Sequence, residues 1–257
     1  GSFRQVAASY DQPIGNSAHG AGVTLHNARA GEGNLQKTFI NANYSFAIQF
    51  GSRRNPQYIR LGLGGGVEQA SIDFAKLRFG DQIDPREGFI NATREVPPPQ
   101  GAIRPDVHTG SVYYNQYAWV SASVHHLNET TQSLSGAARG AENTLPRRYT
   151  FTGGGRIPLG PPNDPEAISV SPAFLFMQQR NFNQLNLGTY VNMDPMVFGI
   201  WYRTNYNNFQ GDFIASDAVA GLIGFKEGIF SIDYSNDYTV TRLTNGLSGS
   251  SHELQII

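Results

Sequence analysis

The feature that most limits how this chain can fold is a two-residue alternation sustained well past ordinary strand length. Between Gln36 and Phe50, the apolar residues Ile40, Ala42, Tyr44, Phe46, Ile48 and Phe50 alternate with Asn41, Asn43, Ser45 and Gln49. Successive side chains of a strand point to opposite faces, so this pattern makes a ribbon with one oily side and one wet side. A strand in a soluble sheet usually runs about five or six residues. Crossing a bilayer at a tilt takes about 9 to 11, which this segment covers.

The pattern recurs along the whole chain. Near the start, Val6, Ala8 and Tyr10 oppose Gln5, Ala7 and Ser9, and Ala21, Val23 and Leu25 oppose Gly20, Gly22 and Thr24. Ile59, Leu61, Leu63 and Val67 oppose Tyr58, Arg60, Gly62, Gly64 and Glu68 in a fourth strand. Strands follow at about 107–115, 117–127, 147–157, 168–176 and 184–191. The eighth of these contains Pro172, which needs a bulge or an edge. In the tenth, Met196, Phe198, Ile200 and Tyr202 oppose Gly199, Trp201 and Arg203. An eleventh spans about 214–225, a twelfth sets Phe230, Ile232 and Tyr234 against Ser231, Asp233 and Ser235, and the last sets Leu254 and Ile256 against Glu253 and Gln255.

Two architectures carry this many two-faced strands, and composition separates them only weakly. Charged residues make up 15%, mean hydropathy is -0.35, and Gly, Tyr and Phe number 29, 12 and 16. Soluble domains carry roughly 25% charged residues. A barrel with a lipid-facing band, aromatic girdles and a polar interior fits this mixture, and so does a Gly-rich soluble sandwich. The length of the third strand favours the membrane. A net charge of -1 and a pI near 6.7 leave no basic footprint for nucleic acid. Cysteine is absent, and no run approaches the roughly 18 apolar residues of a membrane helix.

The connectors alternate in length. The long ones, 71–106, 128–146, 204–213 and 239–249, follow even-numbered strands, and the turns after odd-numbered strands are mostly short. Outer-membrane barrels have short periplasmic turns and long extracellular loops, so the even strands run outward and the C-terminus is periplasmic. By the same parity the first strand starts outside, which calls for one further strand upstream of residue 1. The opening Gly1-Ser2-Phe3 runs straight into a strand pattern without a signal peptide, which fits the same truncation; Gly1-Ser2 also fits a cloning remnant. The expectation is therefore an all-β, transmembrane antiparallel up-and-down barrel of about 14 strands, 13 of them within a single domain spanning 1–257.

Candidate functional residues lie in two places. The connector from Ser71 to Asp106 mixes Phe74, Leu77, Phe79, Ile83 and Phe89 with Lys76, Asp81, Asp84 and Arg86. That mixture suits a partner-binding surface first, then a plug folded into the lumen, the two being compatible, and then a disordered loop. Arg60, Glu68, Arg156, Arg203, Asp233 and Glu253 project inward by phase, and such charges either pair across the lumen or line a wet channel. Asp73, Asp81 and Asp84 lack the spacing of a calcium loop and read as ordinary solvated or capping carboxylates, so no metal is expected. His125 and His126, adjacent in a strand, face opposite ways. Gly64-Gly65-Gly66 and Gly153-Gly154-Gly155 are not phosphate loops and mark thinning of the inner wall. No nucleophile motif appears, so the chain reads as non-enzymatic with no cofactor.

Three stretches carry a resemblance. Ser9-Tyr10-Asp11-Gln12-Pro13-Ile14, the run from Lys76-Leu77-Arg78-Phe79-Gly80-Asp81 through Gln82-Ile83-Asp84-Pro85-Arg86-Glu87-Gly88-Phe89, and Ser250-Ser251-His252-Glu253-Leu254 resemble the PorP/SprF family of type IX secretion system membrane proteins of Bacteroidota. The resemblance extends over nearly the whole chain. It implies an outer-membrane barrel of the secretion and gliding motility apparatus that helps secrete or anchor surface adhesins by binding their C-terminal domain. The implied partners are that adhesin domain, other type IX components or periplasmic lipoproteins, and the lipid bilayer. A peptidoglycan-bound partner at the turn from Pro158 to Pro165 belongs to the same implication. The rival reading from the residues is a general porin or solute channel.

Overall fold

In a computed structural model, the structure describes residues 3–15, 18–31, 33–94, 103–131, 144–161, 168–207, 216–228, 230–240 and 251–256. Among the described residues sixteen strands occur, in the order β1 (Arg4–Pro13), β2 (His19–Ala30), β3 (Leu35–Ser52), β4 (Asn55–Ser71), β5 (Ile83–Asp84), β6 (Gly88–Phe89), β7 (Ile103–Tyr114) and β8 (Ala118–His125). They continue with β9 (Arg148–Gly155), β10 (Ile157–Pro158), β11 (Ser169–Gln179), β12 (Phe182–Met193), β13 (Met196–Asn207), β14 (Ser216–Glu227), β15 (Phe230–Thr239) and β16 (Ser251–Ile256). Apart from the two-residue strands β5, β6 and β10, these are the thirteen strands expected from the alternation.

Fourteen of these strands form one sheet in the order β1-β2-β3-β4-β7-β8-β9-β11-β12-β13-β14-β15-β16, with β10 beside β11, and β5 and β6 form a separate two-stranded sheet. Chain neighbours are sheet neighbours, as an antiparallel up-and-down meander requires. The connections are tight where the sequence supplies turn residues. Asn115 closes the β7–β8 turn by accepting from the Tyr117 and Ala118 amides at 2.8 and 2.9 Å. β12 hands over to β13 through Asp194-Pro195 alone.

Two compact units can be distinguished. The first comprises Gly1–Phe46, Gly62–Thr109 and His125–Arg147; the second comprises Ala47–Leu61, Gly110–Val124 and Arg148–Ile257. In both, the faces follow the expected phase. In the first, Val23, Leu25, Ile40, Tyr44, Leu63 and Val67 are exposed, whereas Glu68, Arg104, Asp106 and His126 are buried. In the second, Ile200, Tyr202, Ile223, Ile232 and Tyr234 are exposed, whereas Ser169 and Asn183 are buried. Among the described residues the one buried apolar side chain is Ala70. A water-soluble sandwich buries its aliphatic rows between two sheets, and this chain turns them outward.

Three local features depart from the sequence reading. The long connector after β4 ends earlier than expected, because Ile103–Asp106 already belong to β7. Pro105 is tolerated there because β8 stops at His125 and the chain beyond it reaches β7 through the Leu127 amide on the Val107 carbonyl, 3.0 Å away. His126 lies outside the strand at φ 58°, so strand alternation does not govern its ring, which lies 6.2 Å from that of His125. Pro172 falls between two ladders: β9 pairs with Ala173 to Gln179, and β10 pairs with Ser169 and Val170. It therefore forfeits no bond on that edge. Pro97, Pro98 and Pro99, most of the 128–146 connector, the 204–213 and 239–249 connectors beyond their first residues, and much of the Pro158 to Pro165 turn lie outside the described residues.

Candidate functional site: a folded connector and a charged inner face

Residues 72–94 are folded by their own side chains. Asp73 accepts from the Ala75 amide at 3.2 Å and opens a 3-10 turn at Phe74–Lys76, with Lys76 Nζ 3.5 Å from the Asp73 carboxylate. Gln82 reaches back to the Phe79 amide at 2.8 Å and closes a second turn. Asp84 accepts from the Arg86 and Glu87 amides at 2.8 and 3.1 Å, and Gly88 at φ 80° completes the β5–β6 hairpin. Aspartate favours such turns because its short carboxylate reaches backbone N–H groups two or three residues ahead.

Asp81 ties the far end of this unit. Its carboxylate accepts from the Arg94 amide at 2.6 Å and from the Thr93 hydroxyl at 3.0 and 3.1 Å. The Arg94 amide bond is the main cause that holds the Asp81 carboxyl below the usual carboxylate value. At the near end, the Asp73 amide donates to the Gly33 carbonyl at 2.8 Å. Leu77 and Ile72 pack onto Gly33, where a Cβ would lie 2.5 Å from Leu77 Cδ2. The connector is thus fastened to the β2–β3 turn.

This folding sorts its apolar residues. Phe74 and Phe79 stack on each other, 6.4 Å apart and 8° from parallel, and are half-buried. Ile83, Phe89 and Ile90 stay exposed, at 49, 52 and 57%. The Arg78 guanidinium sits 5.0 Å over the Phe89 ring, and Arg86 is exposed at the hairpin turn. The result is a small apolar face flanked by two arginines.

The inner face of the first unit carries a buried polar cluster. His126 Nδ1 lies 2.9 Å from Asp106 Oδ1, both nearly enclosed. His108 Nε2 bonds Asn43 Oδ1 at 2.7 Å and stacks on His125 at 5.2 Å. That bond crosses from β7 to β3 over Gly64 of β4, where a Cβ would collide with both partners. In the second unit, Arg203 of β13 and Asp237 of β15 pair at 2.8 Å across β14, at a level where β14 presents Ala218 and Ala220. Small residues on the central strand are what let flanking side chains meet over it.

The other inward charges have separate settings. Glu68 is buried, Arg60 is half-buried, and Asp233 covers Gly224. Arg156 is exposed in the link between β9 and β10, its Nε donating to Ser169 Oγ at 3.1 Å. Glu253 is exposed on β16. Arg104, Asp106, His108 and His126 were missing from the inward set expected from the sequence. Arg104, Asp106 and His108 share one two-residue phase, but the prolines around them argue for a loop.

Apolar rows turned outward along an antiparallel meander, with charges and amides turned inward, define a β-sheet membrane protein rather than a water-soluble one. No helix among the described residues is long and apolar enough to cross a membrane. The family model for type IX secretion system membrane protein PorP/SprF matches residues 1–257, and the chain belongs to that family. Involvement in type IX secretion follows from this membership. A comparison with curated proteins found no match.

Proposed function

We propose that this protein is a non-enzymatic outer-membrane barrel of the type IX secretion and gliding apparatus that helps secrete or anchor surface adhesins by binding their C-terminal domain. The connectors after β4 and β8 are extracellular, and β16 leads to the periplasm. The observation that carries the binding role is the order of residues 72–94. A connector fastened at Gly33 and clamped by Asp81 presents Ile83, Phe89 and Ile90 in fixed positions, with Arg78 and Arg86 beside them. Recognition sites are commonly loops held on a rigid scaffold.

Affinity purification of the detergent-extracted protein from its native membrane tests this reading. Recovery of a secreted adhesin's C-terminal domain, lost when Phe89 and Ile90 are both changed to Ser, is the expected result. Large steady single-channel currents in planar bilayers, with no secreted protein recovered, would point instead to a general porin.

A further inference from the structure

A pocket of about 270 Å³ opens on the inner face of β11 to β16, away from the connector just described in sequence and wholly within the second unit. Its floor is aromatic. The Trp201 indole lies flat over Gly188, where a Cβ would collide with the ring, and Tyr190 likewise covers Gly199. The two rings meet edge to face at 5.6 Å. Leu222 continues the apolar floor. These glycines let bulky rings lie against the wall instead of filling the space.

The charges around this floor do not balance. Arg203 is matched by Asp237, while Glu253, another lining residue, makes no ion pair among the described residues. The Arg203 side chain lines the pocket and is 38% exposed, so its guanidinium keeps donors beyond the one on Asp237. The site therefore offers an exposed carboxylate with no ion-pair partner among the described residues, an indole face that attracts cations, and guanidinium donors for a carbonyl. Its volume is below the roughly 300 to 1,000 Å³ of pockets that take drug-sized ligands. It suits one long side chain.

We propose that this pocket binds a lysine or arginine side chain presented on an extended polypeptide, its aliphatic stem on Trp201 and Leu222 and its cationic end on Glu253. A backbone carbonyl of the same segment accepts from the exposed part of the Arg203 guanidinium. The chain has 2 tryptophans, so Trp119→Phe leaves Trp201 as the sole indole reporter in the full-length protein in detergent. Titration with Nα-acetyl-lysine N-methylamide shifts Trp201 emission saturably. The norleucine analogue, with the same stem and no charge, and the Glu253→Gln variant each weaken binding roughly tenfold. Rising salt weakens binding to the otherwise unaltered protein, which tests the charge without relying on a variant that folds. Butylamine, lacking the carbonyl groups, binds more weakly than the blocked lysine. Absence of a saturable shift, insensitivity to salt, or equal binding of the norleucine compound overturns the site. Butylamine binding as tightly as the blocked lysine overturns the polypeptide as its occupant.

Discussion

Ile200 and Gly199 sit side by side on β13 and face opposite ways, so they separate what the surroundings demand from what the wall demands. Ile200 is 57% exposed in the outward row, with Thr189 and Gly221 as its cross-strand partners. Ile200→Arg is expected to cost about 2 to 4 kcal/mol, or to block assembly, because a charge at mid-depth opposes hydrocarbon. Folding efficiency into lipid vesicles measures it, with Ile200→Leu as the neutral control. At Gly199 a Cβ would stand 2.7 Å from the Tyr190 ring and 3.2 Å from Leu222 Cβ. Gly199→Ala is expected to cost about 1 to 3 kcal/mol by overpacking, read as a lowered urea midpoint. Asp106→Ala would leave His126 without its carboxylate partner, a loss of about 1 to 3 kcal/mol in the same assay.

At the scale of the element, the connector after β4 has two fastenings that respond differently to perturbation. Asp81 has its carboxyl held below the ordinary value by the Arg94 amide and Thr93. A carboxyl with a depressed folded-state value stabilises the folded arrangement above its unfolded value and loses that contribution as pH falls through the lowered one. Protease resistance of residues 72–94 is therefore expected to hold at neutral pH and to decline only in the acid range, at and below ordinary carboxylate titration. Asp81→Asn should make the segment more susceptible at neutral pH and flatten this acid dependence. The other fastening is steric. Gly33→Val drives a side chain into Leu77 and should free the near end at every pH, read as faster cleavage between Ile72 and Phe79. Asp73 and Asp84 accept N–H bonds from residues just ahead of them, whereas Asp81 accepts from the Arg94 amide thirteen residues on, and the Arg78–Phe89 contact that shapes the exposed face has no sequence signature.

For the whole molecule, the distribution of burial sets the solvent. Rows such as Ile40, Tyr44, Phe46 and Ile48 on β3, or Leu61 and Leu63 on β4, are exposed apolar surface far beyond what a soluble monomer leaves uncovered. The protein is expected to be monodisperse in detergent and to aggregate when detergent is removed, as size-exclusion chromatography would show. A monodisperse species in plain buffer would contradict the outward assignment of every one of these rows.

Alternation by itself determined the thirteen long strands, their consecutive pairing and which side of each is apolar, because side-chain direction in a strand depends only on position parity. The outward phase of Ile200 and the inward phase of Glu68 could be read from their neighbours alone. Tertiary structure decided what those inward side chains meet. Asn43 reaches His108 because Gly64 leaves the space between them open, Arg203 reaches Asp237 over the small residues of β14, and Trp201 lies down where Gly188 has no side chain. Each such contact joins residues of different strands, and its existence depends on register and on a small or absent side chain in a neighbouring strand, quantities that no single strand's pattern contains.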